Sequence, residues 1–191
     1  MPDAYESVTL HNLLNQTSGV PSYTDDSKIL ARKSEDVPEA DVLGWLAKKA
    51  PDFEPGSRFS YSNSNYYLLS VVVERATKKP FAAVLDELVL KPAGLSRTGI
   101  DLKDPVAVGY VRDGQGNLKK ADVVGDSLPL GAGFLRSSAI DLVAWDRALE
   151  GDKVLGEASR KALFTPGMSC PECAGDYAYG FIVDEKSGTR V

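Results

Sequence analysis

The chain has 191 residues and a mass of 20.5 kDa, the size of one ordinary domain or of one large piece of a bigger enzyme. With 43% hydrophobic and 26% charged residues it carries enough apolar material for a core and is not a disordered segment as a whole. Its 22 basic and 27 acidic residues leave a net −5 spread along the chain, which gives nucleic acid or anionic lipid no cationic footprint, and no apolar run approaches the roughly 20 residues of a membrane-spanning helix.

The first residues, Met1-Pro2-Asp3-Ala4-Tyr5, have neither the cationic nor the apolar region of an export signal. Thr9 before Leu10, Leu13 and Leu14 predicts a short helix with a hydroxyl cap, closed by the turn-rich run Thr17-Ser18-Gly19-Val20-Pro21. Asp25, Asp26, Glu35 and Asp36 read as solvated loop charges. Pro38 suits a first helical position, and Val42, Trp45 and Leu46 give a helix face that should run from about residue 38 to 49, where Pro51 stops it. Ser62 or Asn63 can cap the next and most apolar helix, about residues 65–77, with Leu68, Leu69, Val72, Val73 and Ala76 keeping helical spacing. That helix should be central. Pro80 opens another, with Phe81, Val84, Leu85, Leu88 and Val89 on one face and Pro92 and Gly94 beyond its end.

Between Val106 and Val124 short β-branched runs surround the turn cluster Asp113-Gly114-Gln115-Gly116-Asn117, which suits an extended excursion or a hairpin. Ser138 with Asp141 forms a capping-box pattern before a helix presenting Leu142, Val143, Trp145, Ala148 and Leu149, and a short helix over about 157–164 precedes Pro166. Residues 177–183 and 189–191 read as two strands joined by a turn at Asp184-Glu185-Lys186-Ser187-Gly188. A strand pair there, with no further strands to join, leaves exposed sheet edges, so the chain looks cut.

Two cysteines, Cys170 and Cys173, flank Pro171-Glu172, and one histidine, His11, lies between apolar residues. No disulfide framework and no tetrahedral zinc site can be assembled from them. The cysteines read as a local disulfide or two idle thiols ahead of half a metal site or a redox pair, and His11 as a partly buried structural imidazole.

Four stretches, agreeing in order and spacing, carry a resemblance. Residues 55–69, with Tyr61-Ser62-Asn63 at their centre, resemble the Tyr-x-Asn region of the serine β-lactamase and penicillin-binding-protein superfamily, in the branch of class C β-lactamases, β-lactamase-fold carboxylesterases and D-aminopeptidases. Residues 8–21 are similar to its leucine-rich helix ending in Thr-Ser-Gly, although Gln16 stands where the family usually has His. Leu130-Gly131-Ala132-Gly133 and the following Ser138-to-Leu142 run resemble its glycine-rich turn and Ser-x-x-Asp-Leu helix. Residues 177–181 resemble the aromatic strand before its last catalytic motif.

The resemblance implies a mainly α fold: the helical lobe of a β-lactamase-like enzyme over 1–168, with a small β excursion, then the incomplete start of the antiparallel sheet over 169–191. It implies acyl transfer to a serine activated by a lysine one helical turn away. No serine in the chain has lysine three residues on, so that motif belongs upstream and the chain should be inert by itself. Lys186-Ser187-Gly188 imitates the family's last element but follows Asp184-Glu185 where a turn is expected; the element itself should begin at about Thr189. Tyr61 would exchange protons with the serine or leaving group, and Asn63 would hydrogen-bond the substrate's amide. Alone, that tripeptide reads as a helix cap with a partly buried aromatic. Gly131, Ala132 and Gly133 read either as the floor of a cleft touched by substrate or as a plain tight turn.

The substrate would be a small molecule or peptide with an amide, ester or β-lactam carbonyl, with no metal or organic cofactor. Many such enzymes work outside the cytoplasm, in the periplasm or secreted. A face left bare by a missing sheet half would allow self-association. A scaffold or binding module that has lost the chemistry is the alternative.

Overall fold

The computed structural model describes residues 3–100, 102, 106–173 and 175–183. Helices dominate. Helix α1 (Leu10–Leu14) is opened by Thr9, whose side chain accepts the Asn12 N–H while the Asn12 side chain accepts the Thr9 N–H, a reciprocal cap. Helix α2 (Ser27–Leu30) was not expected. It forms because the Asp26 carboxylate takes the N–H groups of Lys28 and Ile29, and the same side chain accepts the Trp45 indole N–H at 2.8 Å. Asp26 is thus a cap and a tether, not a solvated loop charge. Glu35 is paired with Arg32 at 2.9 Å.

Helix α3 (Glu39–Leu46) starts one residue after Pro38 and buries Val42 and Leu46. Helix α4 (Asn63–Thr77) is the central helix, ended by Lys78 in the left-handed conformation. Its buried face differs from the expected one: Ser64, Asn65, Tyr67, Leu68, Ser70 and Val71 lie inside, whereas Val72 and Ala76 lie outside. The first half of α4 is enclosed on most sides; the second half, with α3, lines an apolar cleft of about 750 Å³ that includes Leu43, Ala47, Leu68 and Val72.

Helix α5 (Phe81–Leu85) runs through a π turn at Asp86–Leu90 into α6 (Lys91–Ala93), and Gly94 closes it with a φ of 72°. Pro92 is therefore inside the helix. It cannot donate to the carbonyl four residues back, and a wider turn is the usual accommodation. The extra residue rotates the helix face, so Leu90 is buried and the expected Leu88 is exposed.

Strands β1 (Tyr110–Arg112) and β2 (Leu118–Lys120) form an antiparallel hairpin, one of the two forms the turn cluster suits, pairing Tyr110 with Lys120 and Arg112 with Leu118. Asp113 holds its turn by accepting the N–H groups of Gln115 and Asn117, each at 2.9 Å. Helix α7 (Ala139–Glu150) is capped by Ser138, whose hydroxyl accepts the Asp141 N–H. The box is not reciprocal, because the Asp141 carboxylate turns to Arg97 and Thr98 instead. Its expected face is also corrected: Leu142 and Val143 are exposed, while Asp141 and Leu149 are buried. Helix α8 (Glu157–Leu163) follows as expected.

The chain then enters a three-stranded antiparallel sheet of β3 (Ser169–Cys170), β4 (Gly175–Tyr177) and β5 (Ile182–Val183), in that order. The expected single strand over 177–183 is broken by a turn at Tyr179-Gly180, where Gly180 has a φ of 80°. The proposed turn at Lys186-Ser187-Gly188 and the strand at 189–191 lie outside the described residues. The sheet is tied to the helices: Gly167 N–H donates to the Tyr177 carbonyl, Tyr179 N–H to that of Leu163, and the Phe59 and Tyr177 rings meet at 5.3 Å.

The main core joins Leu13, Val20, Tyr23, Val37, Val42, Leu46, Tyr67, Leu68, Val71 and Leu128. Tyr23 and Tyr67 meet edge to face at 5.4 Å, and the Tyr23 hydroxyl donates to the Leu128 carbonyl at 2.8 Å, so both aromatic bulk and polar tip are satisfied. Burial drives the Tyr67 phenol up to about 12. No helix among the described residues is long and apolar enough to cross a membrane.

Candidate active site

The segment after α1 carries Asn15, Gln16, Thr17 and Ser18 in succession, all polar and all buried. Buried polar groups need partners, and here the chain opposite supplies them. Asp52 N–H donates to the Gly19 carbonyl at 2.8 Å, Gly56 N–H to that of Thr17 at 2.8 Å, and Ser60 N–H to that of Gln16 at 2.9 Å. Gly19 is required where the two stretches come closest. Its φ is 73°, and a Cβ there would sit 2.2 Å from the Phe53 carbonyl oxygen.

Gln16 is fully buried and holds a φ of 62° without being glycine. Its side-chain oxygen accepts the Ser62 N–H at 2.9 Å and also a hydrogen of the Asn65 carboxamide, whose own oxygen takes the Ser18 hydroxyl. The Gln16 Nε2 is enclosed and has no hydrogen-bond partner among the described residues. It lies close enough to the Tyr177 phenol to draw that group's pKa down, against the larger rise imposed by burial.

Tyr61 stands between the two serines held by Gln16 and is 56% exposed, whereas Ser62 is buried. The expectation of a partly buried aromatic at a cap is therefore not met: the phenol faces outward at the start of α4. Ser62 occupies the cap position, but its hydroxyl makes no capping bond and has no hydrogen-bond partner among the described residues. Capping comes from far away in sequence. Ser22 Oγ accepts the Asn63 N–H at 3.3 Å, and Ser64 Oγ accepts the Tyr23 N–H at 2.9 Å while donating to the Pro21 carbonyl. Asn63 donates its Nδ2 to Thr24 Oγ1 at 3.0 Å, and its amide oxygen takes no hydrogen bond among the described residues.

Tyr23, Tyr66 and Tyr177 each have a pKa raised mainly by burial, with a smaller rise from the Tyr61 phenol. The Tyr66 hydroxyl donates to the Leu14 carbonyl at 3.0 Å. These three phenols stay protonated around neutrality.

Gly131 belongs to the 3-10 turn Leu130–Ala132 and packs on α4: a Cβ would lie 2.6 Å from the Tyr66 carbonyl oxygen and 2.8 Å from the Ser70 Cβ. The close approach foreseen for Gly131 is thus to a helix backbone. Ala132 packs against the core, and Gly133 is exposed with extended backbone and only Pro129 Cβ nearby, at 3.7 Å.

Cys170 and Cys173 are joined as a local disulfide between β3 and β4. His11 is exposed, not partly buried, and acts as a tether: Nδ1 meets the Tyr179 hydroxyl at 2.6 Å and Nε2 the Asn15 amide at 3.0 Å. Among the described residues no three His, Cys, Asp or Glu side chains are grouped to hold a metal ion. What sequence reasoning missed is the work of Gln16; the one signal was that a glutamine interrupts the His-Thr-Ser-Gly pattern. The chemistry left at the start of α4 is the exposed Tyr61 phenol and, two residues on, the partly buried Asn63 carboxamide.

The mainly helical chain has a β-lactamase-like fold: a D-stereospecific amidohydrolase from Streptomyces sp. matches with a TM-score of 0.84 at 24% identity, over 100% of this chain and 63% of that one. The chain belongs to the β-lactamase family, whose model, described as Beta-lactamase, matches residues 2–190. Penicillin-binding protein 4* of Bacillus subtilis is 28% identical over 94% of this chain and 44% of its own length, and a D-aminopeptidase of Brucella anthropi is 25% identical over 97% of this chain and 36% of its own. The chain spans less than half the length of these two relatives.

Proposed function

We propose that these 191 residues are the helical portion of a serine hydrolase that opens an amide, ester or β-lactam carbonyl by acyl transfer to serine and then to water. Tyr61 exchanges a proton with the nucleophilic serine or the leaving group, and the Asn63 carboxamide meets the substrate's amide. In the Gly131–Gly133 turn, Gly133 has an open face to offer a ligand, whereas Gly131 is committed to α4. The observation that carries this reading is the exposed Tyr61 phenol two residues before Asn63, whose side-chain oxygen takes no hydrogen bond among the described residues.

The nucleophile and its lysine are supplied by other parts of the parent protein, since no Ser-x-x-Lys occurs among these residues. The chain alone is inert. Nitrocefin and p-nitrophenyl ester assays on the purified chain should give blank rates; turnover that Tyr61→Phe abolishes would overturn the inertness. The exposed Ile140, Leu142 and Val143 on α7 form the apolar face that the rest of the enzyme, or a second copy, covers.

A further inference from the structure

The segment before α4 is extended, with Ser62 at φ −140° and ψ 121°, so successive side chains point to opposite sides. Ser62 goes inward and Tyr61 outward. A slip of one residue would exchange them, burying the phenol. Both hydrogen bonds that flank Tyr61 go to one residue 45 positions upstream: the Gln16 peptide carbonyl holds Ser60 N–H and its side-chain oxygen holds Ser62 N–H. The same side-chain oxygen binds Asn65 in the first turn of α4, linking the extended segment to the helix that follows. Gln16 does this from a fully buried site and from a left-handed backbone that is costly for a residue with a Cβ.

We infer that Gln16 is a positioning residue for Tyr61, fixing through its two carbonyl oxygens which side chain of the 60–62 segment faces outward. The inference rests on the reading of Tyr61 as an acid–base group for its functional meaning, but the geometry it asserts is measurable without any activity. Gln16→Met keeps the size of the side chain and removes the amide acceptor. Gln16→Glu keeps an oxygen acceptor at the same place whether the carboxyl is ionised or not.

The test is amide hydrogen exchange at Ser60 and Ser62, read by NMR on the 191-residue chain together with the ¹⁹F resonance of fluorotyrosine at Tyr61, assigned by its loss in Tyr61→Phe. In the unaltered chain both amides should be protected. Gln16→Met should lose about tenfold or more of the protection at Ser62 while Ser60 keeps its own, and should move or broaden the Tyr61 resonance. Gln16→Glu should restore both. If Gln16→Met does not fold, Gln16→Gly is read the same way, because glycine accepts a φ of 62° freely. Unprotected Ser62 in the unaltered chain, or a Met or Gly variant that leaves the Ser62 amide and the Tyr61 signal unchanged, would overturn the proposal. Should the signals respond as expected while Tyr61→Phe has no effect on an active parent enzyme, the positioning stands and the catalytic reading falls.

Discussion

Asp141 accepts the hydroxyl of Thr98 at 2.7 Å across 43 residues of sequence, and the same carboxylate oxygen takes the Arg97 N–H at 2.7 Å. The bond clamps the first turn of α7 to the segment that leaves α6. Asp141 is almost wholly buried, so its removal takes the acceptor from the Arg97 N–H and leaves the Thr98 hydroxyl only its 2.8 Å contact with Ser137 Oγ. Asp141→Ala should cost about 2–4 kcal/mol in chemical denaturation, and Asp141→Asn less, because an acceptor oxygen remains. Ser138 caps the helix independently and should not compensate.

Two glycines two residues apart should respond oppositely. Gly131→Ala drives a methyl into the Tyr66 carbonyl and Ser70, and backbone cannot give way cheaply; about 1–3 kcal/mol of stability should be lost. Gly133→Ala meets only Pro129 at van der Waals distance and has an extended backbone that any residue adopts. Its melting temperature should stay near that of the parent.

The Asp26 pKa is lowered, first by the Trp45 indole hydrogen bond and then by the Lys28 N–H. A carboxylate whose folded pKa lies below its unfolded value contributes stability above the unfolded value of about 4, and that contribution fades as pH falls through the folded pKa. Denaturation followed by Trp45 fluorescence in a Trp145→Phe background should therefore show Asp26→Ala less stable than the parent near neutral pH. The two should converge as the solution is acidified below about pH 4.

The Cys170–Cys173 disulfide closes a short loop between β3 and β4, and short loops remove little entropy from the unfolded chain. Its reduction should cost about 2 kcal/mol. Amide exchange should report the loss at Gly175–Tyr177 first, while the core around Tyr23 and Tyr67 holds.

Local signals in the sequence were read well. Thr9, Ser138 and Pro38 mark helix starts because a cap or a fixed φ acts within one turn, and the Asp113–Asn117 cluster marks a hairpin because the turn satisfies itself. Two of the errors share one cause, a partner far away in sequence. Asp26 looked solvated because Trp45 lies 19 residues on, and α4 lacked its expected side-chain cap because Ser22 supplies the bond from a neighbouring loop. The π turn moved Leu88 outward, a rotation that apolar spacing alone does not reveal. For the site, the motif placed Tyr61 and Asn63 at the start of the central helix. Nothing local announced that Gln16 governs which way Tyr61 points, or that Gly131 serves packing.

The central claim is that the Tyr61 phenol takes part in acyl transfer to a serine that lies outside these residues. It is tested most directly by expressing the longest reading frame that contains them and following acylation by a β-lactam or D-amino ester with mass spectrometry. The parent should form a covalent adduct, and Tyr61→Phe should form it about 10²- to 10⁴-fold more slowly with an unchanged melting temperature. An adduct that forms at the parental rate in Tyr61→Phe would contradict the account.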